Sequence, residues 1–226
     1  WEIISNTFRE HCGYHIFFRR LNSKNYGIPQ HRERLYCVGF RKKTNFLFPA
    51  PIGCPYIMYD FMEDYRSGAY YNEKYDCKVL TDDPQRYEGL ASGELSPRYN
   101  EFVFKCAEVE DKHYLSKTVA EYVLAGGSKG FKTSKETDLQ IARPLLQSMH
   151  KMHRAGVDNY VSYKKEKGIN GLRRLTPKEC LRLMGFRDDF NEVVSNTALY
   201  MEAGNSIVVD VLIALLKEID ITKYGV

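Results

Sequence analysis

The sequence predicts a mixed α/β chain, on three observations. Two aromatic-rich runs, at 14–21 and 35–40, read as strands. Two C-terminal segments carry helical periodicity with recognisable start signals. Between them lies a long polar, Tyr-rich stretch broken by Gly and Pro, followed at 141–170 by a segment that reads as strands and loops.

Residues 2–12 predict the end of an amphipathic helix, with Ile3, Ile4, Phe8 and Cys12 on one face and Gly13 as its stop. The runs at 14–21 and 35–40 predict antiparallel neighbours. The connection holds Tyr26-Gly27-Ile28-Pro29, a turn, followed by Gln30-His31-Arg32-Glu33-Arg34. Strand periodicity places Gln30, Arg32 and Arg34 on one face. Two planar guanidiniums and an amide then point the same way, an array suited to a phosphate and a base edge. The competing reading is a solvated charged turn before an edge strand.

Phe46-Leu47-Phe48-Pro49-Ala50-Pro51 is a Pro-punctuated exit and marks a boundary. Residues 56–63 predict a short helix, and 63–100 carry no clear signal. Residues 114–124 predict a helix with Ser116 or Thr118 near its start, 126–135 a loop, and 141–170 strands and loops. In Leu175-Thr176-Pro177-Lys178-Glu179-Cys180, Thr176 is an N-cap, Pro177 the first helical residue and Glu179 the return arm of a capping box. That helix runs through Met184 and stops at Gly185. A last, mostly buried helix carries Val208, Val211, Leu212, Leu215, Leu216 and Ile219 at helical spacing, with Lys217 and Glu218 outside. Ahead of it, Gly204 allows close backbone approach, and Asn205 or Ser206 caps the exposed amides.

At 226 residues the chain is one large domain or two small ones, and 43% apolar with 27% charged residues marks it as globular. No apolar run is expected to reach the roughly 20 residues of a membrane span, and no signal peptide is expected. A chain beginning at Trp1 reads as a fragment, a processed product or a trimmed form. Six cysteines without a Cys-x-x-Cys pair predict no metal site and a reducing, intracellular setting. The net charge of +4 is uneven: residues 129–174 hold 11 Lys/Arg and 4 Asp/Glu, a balance of +7, leaving −3 elsewhere. Such a segment suits a polyanion, the alternative being a solvated Lys-rich loop.

The string Asn25-Tyr26-Gly27-Ile28-Pro29-Gln30-His31-Arg32-Glu33-Arg34 running on to Phe40, with Leu21 and Asn22 just upstream, resembles motif VIII of the carbon-5 cytosine DNA methyltransferases, which reads Asn-x-x-x-Tyr/Phe-Gly-x-Pro-Gln-x-Arg-x-Arg. Arg173-Arg174-Leu175-Thr176-Pro177-Lys178-Glu179-Cys180-Leu181-Arg182-Leu183-Met184-Gly185-Phe186 resembles motif IX, and Ala203-Gly204-Asn205-Ser206-Ile207-Val208-Val209 resembles motif X. The resemblance implies the C-terminal part of a Rossmann-like methyltransferase domain plus a smaller mixed, β-rich target-recognition domain. It divides the chain into 1–47 (last catalytic-domain strands), 48–196 (target recognition, ending in motif IX) and 197–226 (motif X). Arg187 stands where the family has Pro, which alters the local turn.

By the same resemblance, Arg34 contacts the exocyclic oxygen of a flipped cytosine, Arg32 holds a phosphate or the catalytic loop, and Gln30 orients both. Asn205, Ser206 and Ile207 close an S-adenosyl-L-methionine pocket, although a helix cap explains Asn205 equally. Arg173 or Arg174, Thr176, Glu179 and Arg182 are expected to be structural. Sequence readout is assigned to His150, His153, Arg154 and Asn159, against a simple turn at Asp158-Asn159. Lys129, Lys132 and Lys135 are assigned to phosphates.

None of the six cysteines follows Pro, so the family's Pro-Cys nucleophile is absent, as are its Glu-Asn-Val motif and Gly-rich cofactor turn. The expected partners are double-stranded DNA and an N-terminal methyltransferase half, in the same polypeptide or separate, with no membrane. The expected setting is a prokaryotic restriction-modification enzyme in the cytoplasm, or the nucleus of a eukaryote. A non-catalytic DNA-binding module is the alternative, and a structural remnant is a third.

Overall fold

The computed structural model describes residues 1–64, 71–72, 77–79, 103–128, 130–164 and 170–219. The N-terminal helix is short: α1 (Glu2–Asn6) widens into a π-helical turn over Thr7–His11. Gly13, at φ +69°, ends it as expected. Its apolar face is not buried, however, since Ile3 is 83% exposed and Ile4 and Phe8 are also exposed.

The antiparallel pair is present as β1 (His15–Asn22) and β2 (Glu33–Phe40), with His15 opposite Phe40 and Asn22 opposite Glu33. One face of this hairpin, carrying Phe17, Leu21, Tyr36, Val38 and Phe40, packs on the main core. The other presents Phe18 and Leu35 to the outside, with Trp1 edge-on to Phe18 at 5.0 Å.

The following elements are short. A 3-10 turn at Met58–Phe61 replaces the predicted helix. β3 (Tyr71–Asn72), β4 (Cys77–Val79) and β5 (Val103–Lys105) form a three-stranded antiparallel sheet in that order. α2 (Lys117–Val123) starts at Ser116, whose hydroxyl accepts from the Val119 amide, which decides between the two predicted starts. The predicted loop at 126–135 contains a tight ladder of β6 (Gly127–Ser128) and β7 (Phe131–Lys132). β8 (Tyr160–Lys164) pairs with β9 (Asn170–Arg174), and under them Leu115, Val123, Ala155, Tyr160 and Leu172 form a second small core.

α3 (Pro177–Arg182) has the predicted capping box. Glu179 is fully buried and accepts from the amides of Thr176 (2.8 Å) and Glu63 (2.9 Å) and from both terminal nitrogens of Arg173 (2.9 Å each). Arg173, equally buried, also holds Asp64 in a two-point pair at 2.7 and 3.1 Å. Buried charges persist only when paired and hydrogen-bonded, and here every acceptor position is used. Arg182 is likewise enclosed: it grips Asp188 and donates to the carbonyls of Phe61 and Lys105. Glu179, Arg173 and Arg182 thus join α3 to the chain before and after β3–β5.

The C-terminal region departs from expectation. α4 (Asn196–Asn205), capped by Ser195, precedes α5 (Val209–Ile219). Asn205 and Ser206 therefore end α4 and do not cap α5. α4 buries Leu199, Tyr200, Ala203 and Gly204 on one face, but the apolar Ala198 and Met201 off that face blur the stripe in the sequence. Leu216 of α5 is 55% exposed and Leu212 is exposed too, so the last helix is less buried than its spacing predicts. By length and mean hydropathy (1.6), Asn196–Ile219 would also qualify as a membrane span, contrary to expectation. It is two helices, broken at Ser206 (ψ 160°), with Asp210 buried inside. A side chain at Gly204 would collide with the backbone of Leu146 and Gln147, so the close approach expected there is real. The main core gathers residues from both sides of position 47, from Leu21 to Leu215.

Glu179→Gln removes one charge from a dry pair. It should destabilise the chain by about 3 kcal/mol, read from the urea midpoint, because Arg173 is left with only Asp64.

Candidate functional site

Gln30, Arg32 and Arg34 do not share a strand face. β2 begins only at Glu33, and tight i to i+2 backbone hydrogen bonds, Gln30 N–H to Ile28 O (2.7 Å) and Arg32 N–H to Gln30 O (3.1 Å), curl the chain before it. Period-two alternation fails there. Gln30 and Arg32 turn inward and are buried, whereas Arg34 stays exposed.

What Gln30 and Arg32 meet is the backbone of Leu145, in an irregular segment, 142–147, that places Ala142 and Leu145 in the core. Ala142 bonds both ways to the turn, its N–H to Pro29 O (2.7 Å) and its carbonyl to the His31 N–H (2.8 Å). Leu145 donates its N–H to Gln30 Oε1 (3.1 Å), and its carbonyl accepts from Arg32 (2.9 Å). Arg32 donates also to Gly204 O (2.8 Å) and Ser206 O (3.0 Å), and Gln30 donates to Leu183 O (2.8 Å). Burial lowers the Arg32 guanidinium to about 10, with the nearby charge of Arg34 adding to it. The expected Arg32 contact with a phosphate or catalytic loop is thus replaced by carbonyls within the chain.

Asn159 needs the same correction. Its side chain is buried, accepts from the Arg143 N–H (2.8 Å) and donates to the Arg143 carbonyl (3.1 Å). It acts as a substitute strand and is not free to read a base. His153 pairs with Ser148 Oγ (2.9 Å), and His150 donates to Gln147 O (3.3 Å). Arg154 lies 4.4 Å over the Tyr122 ring and donates to that residue's carbonyl (2.8 Å). These three are partly exposed, with one side already engaged. Lys132 and Lys135 are exposed; Lys129 lies outside the described residues.

Beside this segment, Asp158 is buried, and burial raises its carboxyl to about 7 against the pull of the Asn159 and His153 amides and the Arg174 charge.

Asn205 is exposed, Ser206 is half-buried, and Ile207 is exposed. Asn205 and Ser206 line an open hollow of about 520 Å³ with Ala198, Met201 and Glu202. Ala198, Met201 and Glu202 were missed by sequence reasoning because apolar residues off its buried face blur the stripe of α4. A larger hollow of about 870 Å³ is ringed by Asp64, Glu108, Asp111, Tyr114 and Tyr163. Its carboxylates repel a phosphate backbone, so volume alone does not mark a nucleic-acid face. Among the described residues, no three His, Cys, Asp or Glu side chains are placed to hold a metal.

The family described as C-5 cytosine-specific DNA methylase matches residues 1–220. The chain is 29% identical over 219 residues to the Type II methyltransferase M.NgoBI of Neisseria gonorrhoeae, covering 96% of this chain and 54% of that protein. It is 28% identical over 221 residues to the Type II methyltransferase M.HpaII of Haemophilus parainfluenzae, again covering 96% and 54%. The chain thus spans about half the length of these curated relatives. Among solved structures, an Entamoeba histolytica methyltransferase shares its fold at a TM-score of 0.59 and 15% identity, over 100% of this chain and 58% of that one. The S. pombe Dnmt2 methyltransferase does so at 0.57 and 15%, over 100% and 63%.

Two measurements check this geometry. Asn159→Ala should cost about 2 kcal/mol in urea unfolding, since it strands the Arg143 backbone groups. Asp158, raised in the folded state, lends stability that is fully present below pH 4 and lost as pH rises through about 7. Stability of the parent chain should fall between pH 4 and 7 in urea unfolding, and Asp158→Asn should flatten that fall.

Proposed function

Because this chain belongs to the C-5 cytosine-specific DNA methylase family, we propose that it is the target-recognition and cofactor-facing portion of a DNA cytosine-5 methyltransferase. The reaction transfers a methyl group from S-adenosyl-L-methionine to carbon 5 of a cytosine flipped out of duplex DNA. One observation carries this reading: Arg32 bonds Leu145, Gly204 and Ser206 together, and so brings the motif VIII string and the motif X turn to one place. In this division, 1–47 supplies the last catalytic-domain strands of the Rossmann-like part, 48–196 the target-recognition domain and 197–226 the return helix.

The hollow beside Asn205 fits one wall of a cofactor site. Ala198 and Met201 provide apolar surface, while the Glu202 carboxylate and the Asn205 amide provide an acceptor and a donor–acceptor pair. When bound, S-adenosyl-L-methionine supplies an activated methyl group. The residues of this chain orient: Asn205, Ser206 and Ile207 face the cofactor. Arg34 is exposed and, among the described contacts, bonds only the Glu33 carbonyl (2.7 Å), which leaves its other donors for the cytosine oxygen. Lys129, Lys132 and Lys135 hold phosphates, while His150, His153 and Arg154 lie toward the DNA edge.

The nucleophile belongs to the remaining half of the enzyme. Supporting this, Trp1, Ile3, Ile4, Phe8, Phe18 and Leu35, on α1, the turn after it and the hairpin, are exposed, as are Met201, Ile207, Leu212 and Leu216 along α4 and α5. Exposed large apolar side chains concentrated on few elements suit an interface. The Type II relatives support a prokaryotic restriction-modification setting, in the cytoplasm.

A second reading, a DNA-binding module without catalysis, draws on the finding that packing alone accounts for Gln30 and Arg32. Mixing the chain with a cognate N-terminal half, DNA and labelled S-adenosyl-L-methionine separates the two. Methyl transfer is expected; DNA binding without transfer would favour the module. In the reconstituted enzyme Arg34→Ala should lower methyl transfer roughly 100-fold with DNA affinity nearly intact. Duplex affinity of the chain should fall linearly in log–log form with salt, and a flat response would remove the basic segment from the interface.

A further inference from the structure

Arg32 presents an unusual combination. It is buried, and among the described residues no carboxylate pairs with it. Its guanidinium instead closes on three carbonyls, from two distant segments: Leu145 (2.9 Å) on one side, Gly204 (2.8 Å) and Ser206 (3.0 Å) on the other. The latter two sit at the C-terminal end of α4, where carbonyls lack helical partners and the helix dipole is negative. That end of the helix compensates a cation without an acid. The two segments are also in direct backbone contact, because Gly204 lies against Leu146 and Gln147. Past Gln147, the chain enters the stretch bearing His150, His153 and Arg154.

We propose that Arg32 is a positioning residue that sets the turn Asn205–Ile207 relative to the segment 145–147, and thereby sets the cofactor-facing residues against the DNA-reading ones. This rests on the reading of Asn205–Ile207 as cofactor-facing. The demand is for Arg in particular. A planar fork reaches carbonyls of both segments at once, whereas a Lys ammonium is a point charge on a flexible stem and satisfies one side at a time. Arg34, two residues on, is carried by the same brace at the start of β2.

The test uses Arg32→Met, Arg32→Lys and a control, Val161→Ala, which trims the main core away from the turn. In the 226-residue chain, amide hydrogen exchange is followed at 145–147 and 204–208. In the complex reconstituted with the N-terminal half, the Kd for S-adenosyl-L-methionine is measured by calorimetry. Arg32→Met should speed exchange at both segments and weaken cofactor binding at least tenfold, with Arg32→Lys intermediate. Val161→Ala should change neither, even where it lowers the melting temperature comparably. If Arg32→Met leaves the turn protected, or leaves the Kd within twofold of the parent, the positioning role is overturned. So it is if the control weakens binding in step with its lost stability. If the parent complex binds no cofactor while Arg32→Met still loosens the turn, the cofactor reading itself fails, and with it the functional meaning of the brace. Should Arg32→Met not fold, Arg32→Lys carries the same comparison.

Discussion

A buried backbone must find partners for its N–H and C=O groups, and the segment 142–145 meets that demand without belonging to any helix or sheet. Ala142 uses the backbone of the Pro29–His31 turn, Arg143 uses the Asn159 side chain, residue 144 is Pro, and Leu145 uses Gln30 and Arg32. Three side chains thus replace a strand. These partners come from the 29–32 turn and from Asn159, and Arg32 reaches on to Gly204 and Ser206, so satisfying this one segment fixes the relative placement of the hairpin, the 148–159 stretch and the end of α4. The remainder of the fold is arranged around that junction.

The second junction is electrostatic. Arg173, Glu179, Asp64 and Glu63 interlock under the start of α3, and Arg182 with Asp188 closes its end. Dry charge pairs of this kind stabilise little relative to apolar packing, yet an alternative arrangement would strand a charge. They specify one geometry for the small sheet of β3–β5 against the core. The basic surplus of 129–174 is partly internal for the same reason: Arg173 and much of Arg143, Arg154 and Arg174 are engaged inside the chain. The charge count therefore overstates what faces a polyanion.

The chain matches its family along nearly its full length, yet spans only half of its Type II relatives. The two apolar exposures, around α1 and the hairpin and around α4–α5, accord with that proportion. They are where helices predicted to be buried by periodicity are only partly so: the apolar spacing is present, but Ile3, Ile4, Phe8, Leu212 and Leu216 remain exposed.

Local signals were legible where local physics decides. The hairpin, the capping box at Thr176 and Glu179, the Gly13 and Gly185 stops and the Gly204 approach follow from the conformations those residues allow, without reference to the rest of the chain. The motif strings likewise assigned the family. What the sequence could not decide was direction. Gln30, Arg32 and Asn159 have the chemistry to bind DNA and the chemistry to satisfy a buried backbone. Only the tertiary structure, by driving Ala142 and Leu145 into the core, makes the second demand the stronger one. An unpaired buried amide costs more than an unmade contact with solvent-exposed DNA. Arg34 escaped that demand because β2 had already begun, and so it alone of the motif VIII donors remains on the outside.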